Sequence, residues 1–324
     1  MTRTKILYNP QEMPIFGQSP NLLWQVAQPW LELVPYDPAV TYHRSEVTLM
    51  VPANCLNMWW RPFVDDGFGL IIENAAETPD FMKLRWIPVT DPRTLAHRPV
   101  PDSAMVLQVP NFFWFETAWR MMVEWHHLYQ PNRTREYLAL LPVSREKPHR
   151  TELLVAMGDL LDRCIWSRNE LGRLLPNDVP HKKSVPWRAV CLPEWYDNTC
   201  FSIVAESIVS NVEPFITEKT YKTFGCYHPF MVVGDRGTLR RLRELGFQTW
   251  DNLWDESYDD FESYKDRIHA VVNNAKLYDS APLDSLTLEK LQHNHSLFFD
   301  QRRLREMFCR EMIDPILEYA NTAR

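Results

Sequence analysis

Three short segments of the C-terminal half set cations and carboxylates beside what read as strand-to-helix turns. The first, residues 144–150, is SREKPHR. Arg145, Lys147 and Arg150 lead there into a helix N-terminus, where unpaired N–H groups and the helix dipole favour anions, and an arginine can hold two phosphate oxygens in a bidentate fork. A solvated basic loop is the plainer alternative. The second, residues 201–222, is FSIVAESIVSNVEPFITEKTYK. Glu206 directly follows an apolar run, and Thr217, Glu218 and Lys219 open a helix. A carboxylate at such a place can accept hydrogen bonds from ribose or sugar hydroxyls, and an ammonium can neutralise phosphate charge; the same residues equally describe an ordinary capped helix start. The third is Gly234-Asp235-Arg236-Gly237, which reads first as a tight turn and only second as the wall of a ligand site.

The hydrophobic pattern says which elements carry these turns. Residues 137–143 form a near-continuous apolar run, with Pro142 at its end or edge. Thr151 can cap a helix with Glu152 in its first turn, and Leu153, Leu154, Met157, Leu160, Leu161, Cys164 and Ile165 follow at helical spacing. The unit recurs: a strand over 201–205, a helix from Thr217 to about Gly225, a strand over 230–233, then a helix capped by Thr238 and stopped by Gly246. Such alternation predicts an α/β fold with a Rossmann-like parallel sheet, whose ligands sit outside the carboxyl ends of the strands. Residues 301–320 read as an amphipathic helix kinked at Pro315. The first 135 residues are less periodic. They offer strands at 6–8, 47–51, 70–73 and 104–109, a helix over 112–127, and a polar hinge over 131–136.

Size and composition bound the rest. A chain of 324 residues suggests two domains, since one core rarely grows past ~250–300 residues. The formal net charge of −7 gives no basic nucleic-acid footprint. The six cysteines, Cys55, Cys164, Cys191, Cys200, Cys226 and Cys309, contain no C-x-x-C pair, which argues against a disulfide framework or structural zinc and fits a reducing compartment. No apolar stretch reaches the ~18 residues that span a bilayer, and the start of the chain lacks the apolar core of a signal peptide. A cytoplasmic protein is expected (in the host cytoplasm, if viral). The 13 Trp, 12 Tyr and 16 Phe read chiefly as core, although such rings also stack on sugars.

The run FSIVAES…FITEKTYK…HPFMVVG resembles the donor-binding segment of α-1,3-fucosyltransferases. Ala205-Glu206-Ser207 stands where that family carries F-E-N, and Thr217-Glu218-Lys219 matches its T-E-K. Residues 144–150 look like its earlier Ser/Arg loop, which implies that Ser144 and Arg145 touch the donor diphosphate. NFFWFETAW, LLPVSREKPHR, LPND, EWYDNTCFSIVAES and GTLRRLRELGFQTWDNLWDESYD resemble a family of uncharacterised glycosyltransferase-like proteins common in bacteriophages and bacteria, over roughly residues 105–320. The departures at Ala205 and Ser207 leave the donor sugar open.

The resemblance implies a GT-B arrangement: two Rossmann-like domains facing a cleft, an acceptor-side domain over 1–135, a nucleotide-sugar domain over 136–300, and residues 301–324 as a helix crossing back. It implies inverting transfer from a nucleotide sugar to an acceptor hydroxyl, of a glycan or other carbohydrate, with no cofactor. Ser144, Arg145, Arg150, Thr217, Glu218 and Lys219 would bind the donor, and Glu206 would orient it or stabilise its oxocarbenium-like state. The sequence holds no D-x-D, the motif with which many glycosyltransferases hold a divalent metal, so no metal is expected and Arg150 and Lys219 would stabilise the leaving diphosphate. The catalytic base would come from Glu73, Glu77 or Glu116. Glu77, just after the strand over 70–73, is the choice. Two alternatives stand. A phage-type enzyme that glycosylates hydroxymethylated bases in DNA would need a flipped base and phosphate contacts, for which Arg61, Arg85, Arg93, Arg98 and Arg120 are scattered candidates. A non-catalytic nucleotide-sugar binder would keep only the pocket.

Overall fold

The structure, a computed structural model, describes residues 3–8, 29–35, 37–43, 46–52, 70–74, 86–87, 98–99, 105–108, 111–123, 126–143, 146–173, 175, 192–209, 214–278 and 283–322. The chain divides into two compact units, Met1–Phe112 with Gln301–Arg324, and Phe113–Asp300. Among the described residues no helix is long and apolar enough to cross a membrane.

The first unit is built on β1 (Thr4–Tyr8), β2 (Leu31–Pro35), β3 (Val47–Pro52), β4 (Leu70–Asn74) and β7 (Met105–Gln108), with a two-residue antiparallel pair, β5 (Trp86–Ile87) and β6 (Arg98–Pro99), inserted. The five main strands are all parallel in the order β2-β1-β3-β4-β7. Four of them are the apolar runs read from the sequence. The fifth, β2, is an edge strand of sequence LELVP in which only Leu31 is buried; with one face to solvent and a proline at its end it makes no apolar run.

The second unit opens on the helix α1 (Phe112–Val123), all but its first residue. Its order is β8 (Tyr137–Pro142), α2 (Pro148–Met157), β9 (Cys164–Ser167), α3 (Pro193–Asp197), β10 (Thr199–Ala205), α4 (Glu218–Gly225), β11 (Phe230–Val233), α5 (Thr238–Glu244), α6 (Tyr264–Leu277) and α7 (Ser285–Phe298). The sheet is parallel, ordered β11-β10-β8-β9. All seven residues of β10 are buried, as a strand covered on both faces requires. From β8 the chain steps outward to β9. From β10 it steps the other way, to β11. The reversal lies between the carboxyl ends of β8 and β10, the topological switch point where open α/β sheets bind ligands.

Aromatic side chains fill this core. Phe224 stacks on Phe247 with centroids 4.0 Å apart, and fully buried Trp114 tilts against Phe247 while its indole N–H donates to the Phe298 carbonyl at 3.2 Å. Trp119, Trp195, Trp250 and Trp254 are buried too.

Four local expectations change. Cys164 and Ile165 lie on β9 rather than on the preceding helix: α2 stops at Met157, Gly158 turns the chain at φ 48°, and a 3₁₀ stretch over Gly158–Arg163 leads into the strand. Helix α2 begins at Pro148 rather than at a Thr151 cap; proline suits a first helical position, where its missing N–H removes nothing. Thr238 is the first residue of α5 and not its cap, which falls on Gly237 at φ 80°. The stretch 131–136, expected as a hinge, lies inside the second unit. Thr134 and Arg135 both donate N–H to the Asp197 carbonyl at 3.0 Å, and Asn132 donates to the Asp197 carboxylate at 2.9 Å.

The last segment belongs with the first unit: α8 (Gln301–Phe308), a π-helical turn over Cys309–Ile313, and α9 (Asp314–Thr322). The π turn ends just before Pro315, whose ring and absent N–H disturb the preceding turn. Leu304, Phe308, Ile313, Ile316 and Ala320 form the buried stripe, and the Glu311 carboxylate accepts from Asn111 N at 3.1 Å and Nδ2 at 2.6 Å.

Candidate functional site

The switch point of the second sheet collects the charged residues of two segments 60 positions apart. After β8 the chain reaches Lys147, His149 and Arg150; after β10 it reaches Glu206 and Ser207. Lys147 Nζ donates to the Ser207 carbonyl at 2.7 Å. Lys219 Nζ, on the first turn of α4, reaches Ser207 Oγ at 3.2 Å and Thr217 Oγ1 at 3.0 Å, and pairs with the Glu218 carboxylate at 3.1 Å. Two ammonium groups from different elements therefore meet at Ser207, and Lys147 and Ser207 are only half-buried.

Behind this lip the charges are internal. Arg150 is 3% exposed, and its guanidinium donates to the carbonyls of Ala205 and Glu206 at 3.2 Å each. It closes the carboxyl end of β10. Glu206 is fully buried. Its Oε1 accepts from Thr217 N at 3.0 Å and Thr220 Oγ1 at 2.7 Å, and its Oε2 from Thr217 Oγ1 at 2.5 Å. Glu206 thus ties the end of β10 to the start of α4. Glu218 is 2% exposed beside Lys219.

His149 was not read from the sequence, although Pro148 at a helix start fixes its place in the first turn. Its Nε2 lies 2.9 Å from the Glu206 carbonyl, so that nitrogen carries the proton, because a carbonyl only accepts. Burial pushes the imidazole pKa down to about 4, against the raising effect of this hydrogen bond, and the charges of Arg150, Lys147 and Lys219 push in the same direction as burial. The ring is neutral at pH 7 and reports the positive field of the three cations. An unfolded histidine titrates near ~6.5. Between that pH and about 4 the unfolded chain therefore binds more protons than the folded one, and stability falls as pH falls. In thermal melts from pH 7 to pH 4, His149→Gln, which keeps an N–H for the Glu206 carbonyl, should show a shallower loss than the wild type. Equal slopes would remove His149 from the acid response.

The three helix N-termini at this edge differ. At α4 the Glu206 carboxylate accepts the Thr217 N–H. At α5 the carboxylate of buried Asp259 accepts Leu239 N at 2.9 Å and Arg240 N at 3.0 Å. Helix α2 has no side-chain cap among the described residues. At α2 Pro148 brings no N–H, and the Arg150 and Thr151 N–H groups both donate to the Lys147 carbonyl at 3.0 Å, whereas the start of α5 serves a carboxylate of the chain. Arg236 of that turn pairs with Glu262, and Asp235 Oδ2 accepts the Phe215 N–H at 3.1 Å.

Ser144, Arg145 and Glu77 lie outside the described residues, as do Arg61, Arg85 and Arg93, and the side chains of Glu73 and Arg98 are not described. Glu77 follows β4 by three residues. Glu116 is 3% exposed in the second unit, paired with Arg120 one helical turn on at 3.1 Å.

No family model matches the sequence. No curated protein matches it. Among solved structures the chain is similar to an α1,3-fucosyltransferase crystallised with GDP, at a TM-score of 0.44 and 10% identity, over 92% of this chain and 91% of that one.

Proposed function

We propose that the protein is a glycosyltransferase of the GT-B kind and that its second unit binds the nucleoside diphosphate of a nucleotide sugar at the switch point between β8 and β10. The observation that carries this is the meeting of Lys147 and Lys219 at Ser207, beside the start of α2. A diphosphate laid there accepts hydrogen bonds from both ammonium groups. As the sugar–oxygen bond breaks, negative charge builds on the phosphate, and cations already fixed in place stabilise it without reorganising.

In this reading Lys147 and Lys219 touch the donor, together with Ser144 and Arg145. Arg150, Glu206 and Thr217 hold the two loops in register, and Glu218 keeps Lys219 in place and faces the ribose. Transfer is inverting. The acceptor, a carbohydrate hydroxyl, loses its proton to a carboxylate, for which Glu77 remains the choice. Fixed cations take the role of a metal, so the reaction is metal-independent.

The test is release of nucleoside diphosphate from a mixed pool of nucleotide sugars, with and without EDTA. The expected result is release at the same rate in both, and its loss in Glu77→Gln at unchanged donor affinity. Activity that vanishes in EDTA and returns with Mg²⁺ or Mn²⁺ would contradict the metal-independent chemistry. Binding with no release from any donor would make the protein a nucleotide-sugar binder.

A further inference from the structure

The segment joining β10 to α4 carries Ser207 and ends at Thr217, two residues before Lys219. Its described parts, residues 206–209 and 214–217, are held by buried charges from elements that do not themselves carry the anion site. Arg267, on the first turn of α6, is 2% exposed. Its Nη2 donates to the Val209 carbonyl at 2.8 Å, and its Nη1 to the carbonyls of Phe261 at 2.5 Å and Glu262 at 3.2 Å. One planar guanidinium therefore fixes the donor-side segment to the start of α6, a geometry that a single ammonium cannot copy. Further along the same segment, Asp235 is 1% exposed and holds Phe215 N at 3.1 Å. Burial lowers the pKa of Arg267, and Asp235 is the foremost of the carboxylates that oppose this. The two buried groups of opposite sign thus grip two places of one segment, Val209 and Phe215, both between Ser207 and Thr217.

We infer that Arg267 and Asp235 are positioning residues of the donor site, which set affinity for the nucleoside diphosphate by fixing where Ser207 and Lys219 stand. Neither touches the ligand. Moving the segment by a fraction of an ångström separates the two ammonium groups that meet at Ser207, and a preorganised anion site loses affinity when its shell loosens. This rests on the donor-binding reading given above.

The test measures nucleoside-diphosphate affinity by calorimetry in Arg267→Lys, Arg267→Met and Asp235→Asn, with wild type and Lys219→Ala alongside, and thermal stability in each. Arg267→Lys and Asp235→Asn preserve size and keep the comparison valid if Arg267→Met fails to fold. The expected result is affinity lowered about tenfold in Arg267→Lys and Asp235→Asn, with both still folded at the temperature of the titration, and a larger loss in Arg267→Met. A merely structural role would lower the melting temperature and leave the affinity of the folded protein unchanged. Wild-type affinity in folded Arg267→Lys and Asp235→Asn, with Lys219→Ala weakened, would overturn this inference alone. No binding by the wild type would overturn both it and the donor-binding reading.

Discussion

Replacing Lys147 and Lys219 together by alanine should lower affinity for a nucleoside diphosphate by roughly 10²–10⁴-fold, since each charge-assisted contact is worth ~1.5–3 kcal/mol. The two ammonium groups act on one anion, so their losses will couple rather than add strictly. Lys219 should matter more: its side chain is 13% exposed, so solvent and salt screen it less than half-buried Lys147. Arg150→Ala should weaken binding by a different route, because its guanidinium holds the carbonyls of Ala205 and Glu206 and its loss also costs stability. Calorimetry at fixed ionic strength on folded variants checks the ordering. Unchanged affinity in the double variant would remove the diphosphate from this edge of the sheet.

The second large effect is on stability. Glu206→Ala should cost on the order of 3 kcal/mol, because it strips the acceptor from Thr217 N, Thr217 Oγ1 and Thr220 Oγ1. The backbone N–H is left buried and unpaired, the costly case, while the two hydroxyls can rotate to other acceptors. Glu206→Gln keeps the shape and one carbonyl oxygen, so it should fold with a smaller loss. Urea unfolding should show a lower midpoint for Glu206→Ala at an unchanged slope. A loss below about 0.5 kcal/mol, the range of ordinary surface changes, would mean that the link between β10 and α4 does not depend on this carboxylate.

The reach of the sequence differs from element to element, for physical reasons. The strand Phe230–Val233 was legible to the residue because a buried parallel strand is a continuous apolar run bounded by turn residues. The strand Cys164–Ser167 was not. Its first two apolar residues continue the helical spacing of α2, and only the left-handed turn at Gly158 breaks the pattern. Caps depend on distance along the chain. Thr217 caps α4 by accepting the Lys219 N–H at 3.5 Å, a local signal, whereas Asp259 caps α5 from 20 positions beyond Leu239 and leaves no local trace. The same holds for charge. Lys219 could be placed at a strand-to-helix turn from its neighbours, but the burial of Glu206 and Arg150, and the reach of Arg267 to Val209, exist only once strands and helices have packed.

The most direct test of the donor site is hydrogen exchange of the backbone amides with and without a saturating nucleoside diphosphate. The ligand should slow exchange in residues 146–151, 206–209 and 214–220, where the ends of β8 and β10 and the start of α4 come together. The amides of α5 at residues 238–240, already held by Asp259, should change little. Protection confined to other parts of the chain, or no protection at any concentration, would contradict a nucleotide site at the switch point of the second sheet.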